Sequence, residues 1–220
     1  MRRGKGRAMS VYEYTKPSEI EKRSMEIIES RLGDIQMLPE NKTVLKRVIH
    51  TTADFDYVKN LQFSEDAVRH GVEALKNGAH IVTDTSMALA GINKTILRSI
   101  GGDVHCFIAD PEVAAEAKAR GITRSCAAVD HALTLKNELI FAVGNAPTAL
   151  IRLNELICEH RINPKLVIAV PVGFVNVVEA KEAIMRIGVP YIAAAGNKGA
   201  SNVPAGICNA PLYIIKRQQC

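Results

Sequence analysis

Short apolar runs rich in β-branched residues alternate with helical segments through the last two thirds of the chain. The runs are Ala79-His80-Ile81-Val82-Thr83, Val104-His105-Cys106-Phe107-Ile108, Leu139-Ile140-Phe141-Ala142-Val143, Leu166-Val167-Ile168-Ala169-Val170 and Tyr191-Ile192-Ala193-Ala194-Ala195. Runs of this length, separated by helical spacing, predict βαβ units and a parallel sheet covered on both faces. The crossovers are expected to be right-handed. Before the first run the spacing is helical. Ser18-Glu19-Ile20-Glu21 reads as a capping box, and Ile20, Ser24, Ile27, Ile28 and Leu32 make one stripe that Gly33 ends. A second helix starts after Pro39 and runs into Val48-Ile49-His50. A third starts at Ser64-Glu65-Asp66 and ends near Asn77-Gly78. The expectation is one α/β domain with a mainly parallel sheet of about five strands and a helical N-terminal segment.

Composition narrows this further. The 220 residues are 47% hydrophobic but only 5% aromatic, with no Trp, so the core must be built from Ala, Val, Ile and Leu. Small aliphatic cores suit helices packed closely on a parallel sheet. Residues 1–10 read as a basic, disordered leader, and residues 11–220 as the single domain. Met1-Arg2-Arg3-Gly4-Lys5-Gly6-Arg7 has no apolar segment and is not read as a secretory signal. It accounts for much of the net charge of +5, so that charge says little about a partner. Cys106, Cys126, Cys158, Cys208 and Cys220 form no CxxC pair, and an odd, scattered set points to a reducing, cytoplasmic setting. No apolar run approaches the roughly 18 residues that span a bilayer.

Ligands of open parallel sheets bind beyond the carboxyl ends of the strands. There the chain carries Asp84-Thr85-Ser86-Met87, Gly144-Asn145-Ala146-Pro147-Thr148-Ala149-Leu150, Pro171-Val172-Gly173-Phe174 and Gly196-Asn197-Lys198-Gly199-Ala200-Ser201-Asn202. Such residues give turns whose free amides can face an anion. They equally serve as helix caps, with Asn145 as N-cap and Pro147 just inside the helix. Neither GxGxxG after a strand nor GxxxxGK[ST] occurs, which disfavours a nucleotide, and no GxSxG elbow is present. Arg124 opens a helix against its dipole. Its guanidinium either grips a ligand carboxylate or pairs with Asp130 or Asp110. His50, set among Arg47, Thr51, Thr52 and Asp54, is either a proton donor or the cap of a buried helix. His70, His80, His105, His131 and His160 stand alone and receive no role.

Taken together, Arg47-Val48-Ile49-His50-Thr51-Thr52-Ala53-Asp54-Phe55-Asp56, Thr123-Arg124-Ser125, the Gly144–Leu150 block and Pro171-Val172-Gly173-Phe174-Val175-Asn176 resemble the precorrin-8X methylmutase family of cobalamin biosynthesis. The resemblance extends from Tyr12 to about Leu212. It implies a Rossmann-like three-layer fold, a homodimer with the site near the interface, and a 1,5-shift of a methyl group on ring C of a corrin precursor. It implies His50 as proton donor, and a substrate-binding set of Arg23, Thr85, Arg124, Ser125, Asn145, Gly173, Lys198 and Ser201. The partner is then a tetrapyrrole substrate, with no cofactor, no protein-held metal, no nucleic acid and no membrane. Thr51-Thr52-Ala53-Asp54 looks like the cobalt-handling branch. Two departures stand out: Gly196-Asn197-Lys198-Gly199-Ala200-Ser201 where the family has Gly-Arg-x-Gly-Gly-Ser, and Glu179-Ala180-Lys181 where it has Glu-Ser-Lys. Lys198 is expected to take over from the missing arginine. The departures also leave room for a tetrapyrrole-binding or carrier protein that has lost the chemistry.

Overall fold

The computed structural model describes residues 16–219; the basic leader and Cys220 lie outside the described residues. Two compact units are present, one ending at Gln36 and a larger one from Met37 onward. The first contains helix α1 (Pro17–Leu32). Pro17 occupies its first turn and Lys16 its N-cap, so the helix starts ahead of the expected capping box. Pro is tolerated there because its missing N–H would have no partner anyway. Gly33 ends the helix as expected, at φ 59°, its N–H donating to Glu29 O.

The larger unit opens with α2 (Pro39–Thr52), α3 (Tyr57–Asn60), β1 (Leu61–Phe63) and α4 (Ala67–Lys76). Next come β2 (His80–Thr83), α5 (Ser86–Gly91), α6 (Lys94–Ser99), β3 (Val104–His105), α7 (Pro111–Arg120) and α8 (Arg124–His131). The chain finishes with β4 (Leu139–Val143), α9 (Pro147–Cys158), β5 (Leu166–Ala169), α10 (Val177–Arg186), β6 (Tyr191–Ala194) and α11 (Val203–Gln218). The sheet order is β1-β6-β5-β4-β2-β3. All neighbours are parallel except β1, which runs antiparallel to β6 with Leu61 opposite Ala194.

All five expected runs form strands of one sheet. The second shrinks to Val104–His105, because it is an edge strand whose ladder is held by β2 alone. The additional strand, β1, is too short to show alternation, and only its pairing with β6 defines it. The core is aliphatic as composition requires. Every residue of β4 is buried, and Phe141 belongs to one core cluster with Val82, Leu150, Leu153 and Val167. Val44, Leu45, Val48 and Ile49 bury one face of α2, which packs along α11. A Cβ on Gly206 of α11 would sit 3.0 Å from Thr51 Oγ1, tighter than an ordinary contact, so glycine suits the close approach of the two helices here.

Strand β2 lies between β3 and β4, so the chain leaves it to one side and returns on the other. Ligand crevices form at such a switch point, beyond the strand ends. Here one side chain holds it together. Asp84, 7% exposed, follows β2 directly. Its Oδ1 accepts from Gly144 N at 2.9 Å, and its Oδ2 from Asn145 N and Ala146 N at 2.8 Å each. These amides lead into α9, where a negative charge is favoured by the helix dipole. Burial pushes the Asp84 carboxyl up from its ordinary value, and the three amides pull against that shift. Gly144 must also be small, because a Cβ there would meet Pro204 Cγ at 2.6 Å and Ala200 O at 2.8 Å.

Asp84→Asn keeps the shape but turns an N–H group toward amide donors. Hydrogen bonds to charged groups are worth about 1.5–3 kcal/mol, and a buried donor without a partner adds its own penalty. Equilibrium urea unfolding should show a loss of roughly 2–4 kcal/mol. A variant as stable as the parent would mean that the clamp is not needed.

Candidate active site

His50 lies near the carboxyl end of α2, on its exposed side, where the apolar stripe gives way to Thr51 and Thr52. Ala53 ends the helix in the left-handed conformation, its N–H donating to Ile49 O at 2.7 Å. Thr51 and Thr52 donate back to Arg47 O and Val48 O, both at 2.8 Å, which leaves their hydroxyls tied to the helix. A cavity of about 300 Å³ opens beside His50, lined also by Arg47, Met87, Asn202, Asn209 and Tyr213. The Arg47 guanidinium lies over the Tyr213 ring, 4.7 Å from its centroid. Asn209 anchors the opposite wall, accepting from Asn93 N at 2.8 Å and donating to Gly91 O at 2.9 Å. Neither Asn209 nor Tyr213 carries a signal in the sequence, since each is one polar position on a largely buried helix.

The remaining expected residues are placed in different ways. Thr85 is the N-cap of α5, and its hydroxyl accepts from Ala88 N at 3.2 Å. Asn145 is exposed; its backbone amide goes to Asp84, and the N-cap of α9 is Ala146, not Asn145. The amides after β4, expected to be free for an anion, are thus already filled by Asp84. Arg124 opens α8 and is exposed, with Ser125 partly buried behind it. Asp130, a possible partner for Arg124, instead receives Arg120 and Arg152, each at 2.7 Å. The start of α8 is tied to the start of α9 by Thr123 Oγ1 and Thr148 Oγ1 at 3.1 Å. Ser201 is partly buried just ahead of α11. Arg23 belongs to α1, in the other unit, and pairs with Glu26 at 3.3 Å.

The loop after β6 is held from below by Lys181, which in the sequence stands out only as part of a departing motif. Its side chain, 1% exposed, donates to Gly196 O and Lys198 O at 2.8 Å each. Burial lowers its pKa to about 8. A neutral amine still has the two hydrogens that these bonds need. From that loop Lys198 reaches Asp54 and Asp56, at 2.7 Å to each, just past the end of α2. The Lys198 hydrogen bond holds Asp54 below the usual carboxylate range, and the two acidic partners raise Lys198. Lys198 therefore spends its charge within the protein. Asn197, standing where the resemblance calls for arginine, donates to Gly173 O at 2.7 Å, while Gly173 N donates to Asn197 O at 3.2 Å.

Three histidines that look isolated in sequence meet at the β3 edge. His80 Nδ1 and His105 Nε2 are 2.9 Å apart, and Phe107 stacks on His105 while His131 meets it tilted at 54°. Burial lowers the pKa of His105, and His80 adds to that. Among the described residues no group of three or more His, Cys, Asp or Glu is arranged to hold a metal ion, and no helix is long and apolar enough to cross a membrane.

Residues 19–214 match the family model described as precorrin-8X methylmutase. A cobalt-precorrin-8 methylmutase of Salmonella typhimurium (strain LT2) is 46% identical over 207 residues, covering 91% of this chain and 96% of that protein. A precorrin-8X methylmutase of Sinorhizobium is 32% identical over 205 residues, covering 92% and 97%. The crystal structure of precorrin-8X methylmutase from Thermus thermophilus superposes with a TM-score of 0.83 at 38% identity, covering 91% of this chain and 99% of that one.

Lys181 ties folding to pH. Between about pH 8 and 10.5 the unfolded chain holds a proton there that the folded chain has released. Folding stability from this group therefore rises with pH across that window, by up to roughly 3 kcal/mol. Denaturant midpoints of the wild type and Lys181→Met, taken across this range, should diverge in favour of the wild type. Parallel curves would mean that Lys181 keeps its charge in the fold.

Proposed function

The chain belongs to the precorrin-8X methylmutase family and is an isomerase; on that premise we propose that it shifts a methyl group on ring C of cobalt-precorrin-8, with His50 as the proton donor. The observation that carries the reading is the position of His50, on the exposed side of a helix end in a cavity shared with Arg47, Asn209 and Tyr213. A proton donor needs such access, and a histidine can deliver a proton near neutral pH. The cobalt form of the substrate is favoured by the 46% identity to the Salmonella typhimurium enzyme against 32% to the Sinorhizobium one.

The reaction moves one methyl group between neighbouring carbons, so one C–C bond breaks as another forms and nothing is oxidised or reduced. His50 lends a proton to the conjugated system, biases it toward the migrated isomer, and recovers the proton as product forms. Positioned acid catalysis of this kind contributes about 100- to 10,000-fold. Holding the macrocycle in its reactive conformer supplies more. Arg124 is suited to that holding. It is exposed, it forms no hydrogen bond or ion pair within the described residues, and its planar fork matches a carboxylate.

A cavity of about 300 Å³ sits at the bottom of the roughly 300–1,000 Å³ usual for drug-sized ligands, and a corrin precursor is larger than those. One edge of the substrate enters the cavity and the rest extends over the neighbouring loops. In this reading a second copy of the chain covers what remains open, giving a homodimer with the site near its interface. The free Cys106, Cys126, Cys158 and Cys208 agree with a cytoplasmic enzyme.

His50→Ala should still bind the tetrapyrrole but lose conversion, read as the absence of the product chromophore in the visible spectrum. Turnover at the wild-type rate would refute the role. A carrier lacking the chemistry is the second reading, resting on Asn197 and Ala200; stoichiometric binding by the wild type without any spectral conversion would establish it. Sedimentation velocity should give a particle of two chains at micromolar concentration, and a monomer bearing full activity would remove the interface from the site.

A further inference from the structure

The loop between β5 and α10 presents a cluster of apolar side chains to solvent. Phe174 is 90% exposed, Val175 76% and Val172 46%. Single apolar residues on a surface need no explanation, but three within four positions do. The loop does not owe this exposure to slackness. Gly173 sits at φ 151° and Asn176 at φ 58°, so both ends of the Phe174-Val175 tip have backbone that most residues avoid. A Cβ at Gly173 would lie 2.9 Å from Val177 Cγ2. The Asn197 amide then fixes Gly173 through its carbonyl at 2.7 Å. Two hydrogen bonds with Asn197 thus hold the tip at Gly173, and the Phe174 ring stands in solvent.

The same segment that holds the tip also reaches His50's helix. Next to Asn197, Lys198 bonds Asp54 and Asp56 just past the end of α2. Farther along, Asn202, Ala205 and Gly206 line the His50 cavity. The tip thus stands at the carboxyl end of the sheet, linked by one loop to the cavity wall. It carries no charge between Val172 and Asn176, so it suits the apolar plane of a ring and not the carboxylates at its rim.

We propose that Phe174 is a substrate-binding and specificity residue: its ring, flanked by Val172 and Val175, is a ledge that receives the apolar face of the macrocycle while one edge enters the His50 cavity. This rests on the methylmutase reading above. It assigns the exposed phenylalanine to the ligand, and it gives Asn197 the role of holding the ledge in place where an arginine would have offered a charge.

The test compares wild type, Phe174→Leu and Phe174→Ala by titrating hydrogenobyrinate, the metal-free product corrinoid, and following visible absorbance. Removing a buried aromatic face should weaken binding about 10- to 100-fold in Phe174→Ala, with Phe174→Leu within about fivefold of wild type. Because the free side chain touches water, urea midpoints of all three should coincide. Unchanged affinity in Phe174→Ala overturns the ledge. So does a changed sedimentation coefficient, since the tip would then belong to an interface between copies. Failure of the wild type to bind either hydrogenobyrinate or its cobalt form is a different outcome: it removes the methylmutase reading, and the ledge with it.

Discussion

The Asp84 carboxylate, lodged against three successive amides, is the interaction on which the carboxyl end of the sheet depends. It joins the strand where the chain changes direction to the turn that starts α9. Without it, Gly144, Asn145 and Ala146 would present unpaired buried or half-buried N–H groups at the switch point. Filling the turn from within has a chemical consequence. In many open α/β sheets this crevice is where a ligand anion meets backbone amides. Here the anion is part of the protein, so these three amides are not open to a ligand anion.

The loops after β5 and β6 are set by a second chain of contacts that starts at a buried lysine. Lys181 fixes the carbonyls of Gly196 and Lys198; Lys198 then spends its charge on Asp54 and Asp56, and Asn197 clasps Gly173. Pairs of this kind fix geometry more than they add stability, particularly where the groups are partly solvated. Their effect is to hold the end of the His50 helix and the Phe174 loop to one segment. Arg124 stands outside this network, which is what leaves it available to a carboxylate.

The fold was largely legible. Apolar runs gave five strands in their correct places, because a strand buried on both faces reads as a continuous apolar stretch whatever its neighbours are. The strand β1 was not legible: three residues, Leu61 to Phe63, become a strand only by pairing with β6. The ends of elements were less predictable, as at Pro17, where proline took the first turn that a capping box at Ser18 was expected to define. Of the cavity lining, the polar end of α2 at His50 was legible from the end of an apolar stripe, but Asn209 and Tyr213 were not, since only the packing of α11 on α2 brings them to the same cavity.

By itself the sequence determined what depends on local pattern: an aliphatic α/β core, the strand positions, the family motifs and the polar end of the His50 helix. The tertiary structure alone decided which polar groups meet. It gave Asp84 to the amides that looked free, drew Lys198 to Asp54 and Asp56, and set His80 against His105 and both His105 and His131 against Phe107. The reason is range. Hydrophobic periodicity is written in residues a few positions apart, whereas Asp84 and Gly144 are separated by 60 positions, and Lys198 and Asp54 by 144. Such partners are chosen only once the sheet order has placed their strand ends side by side.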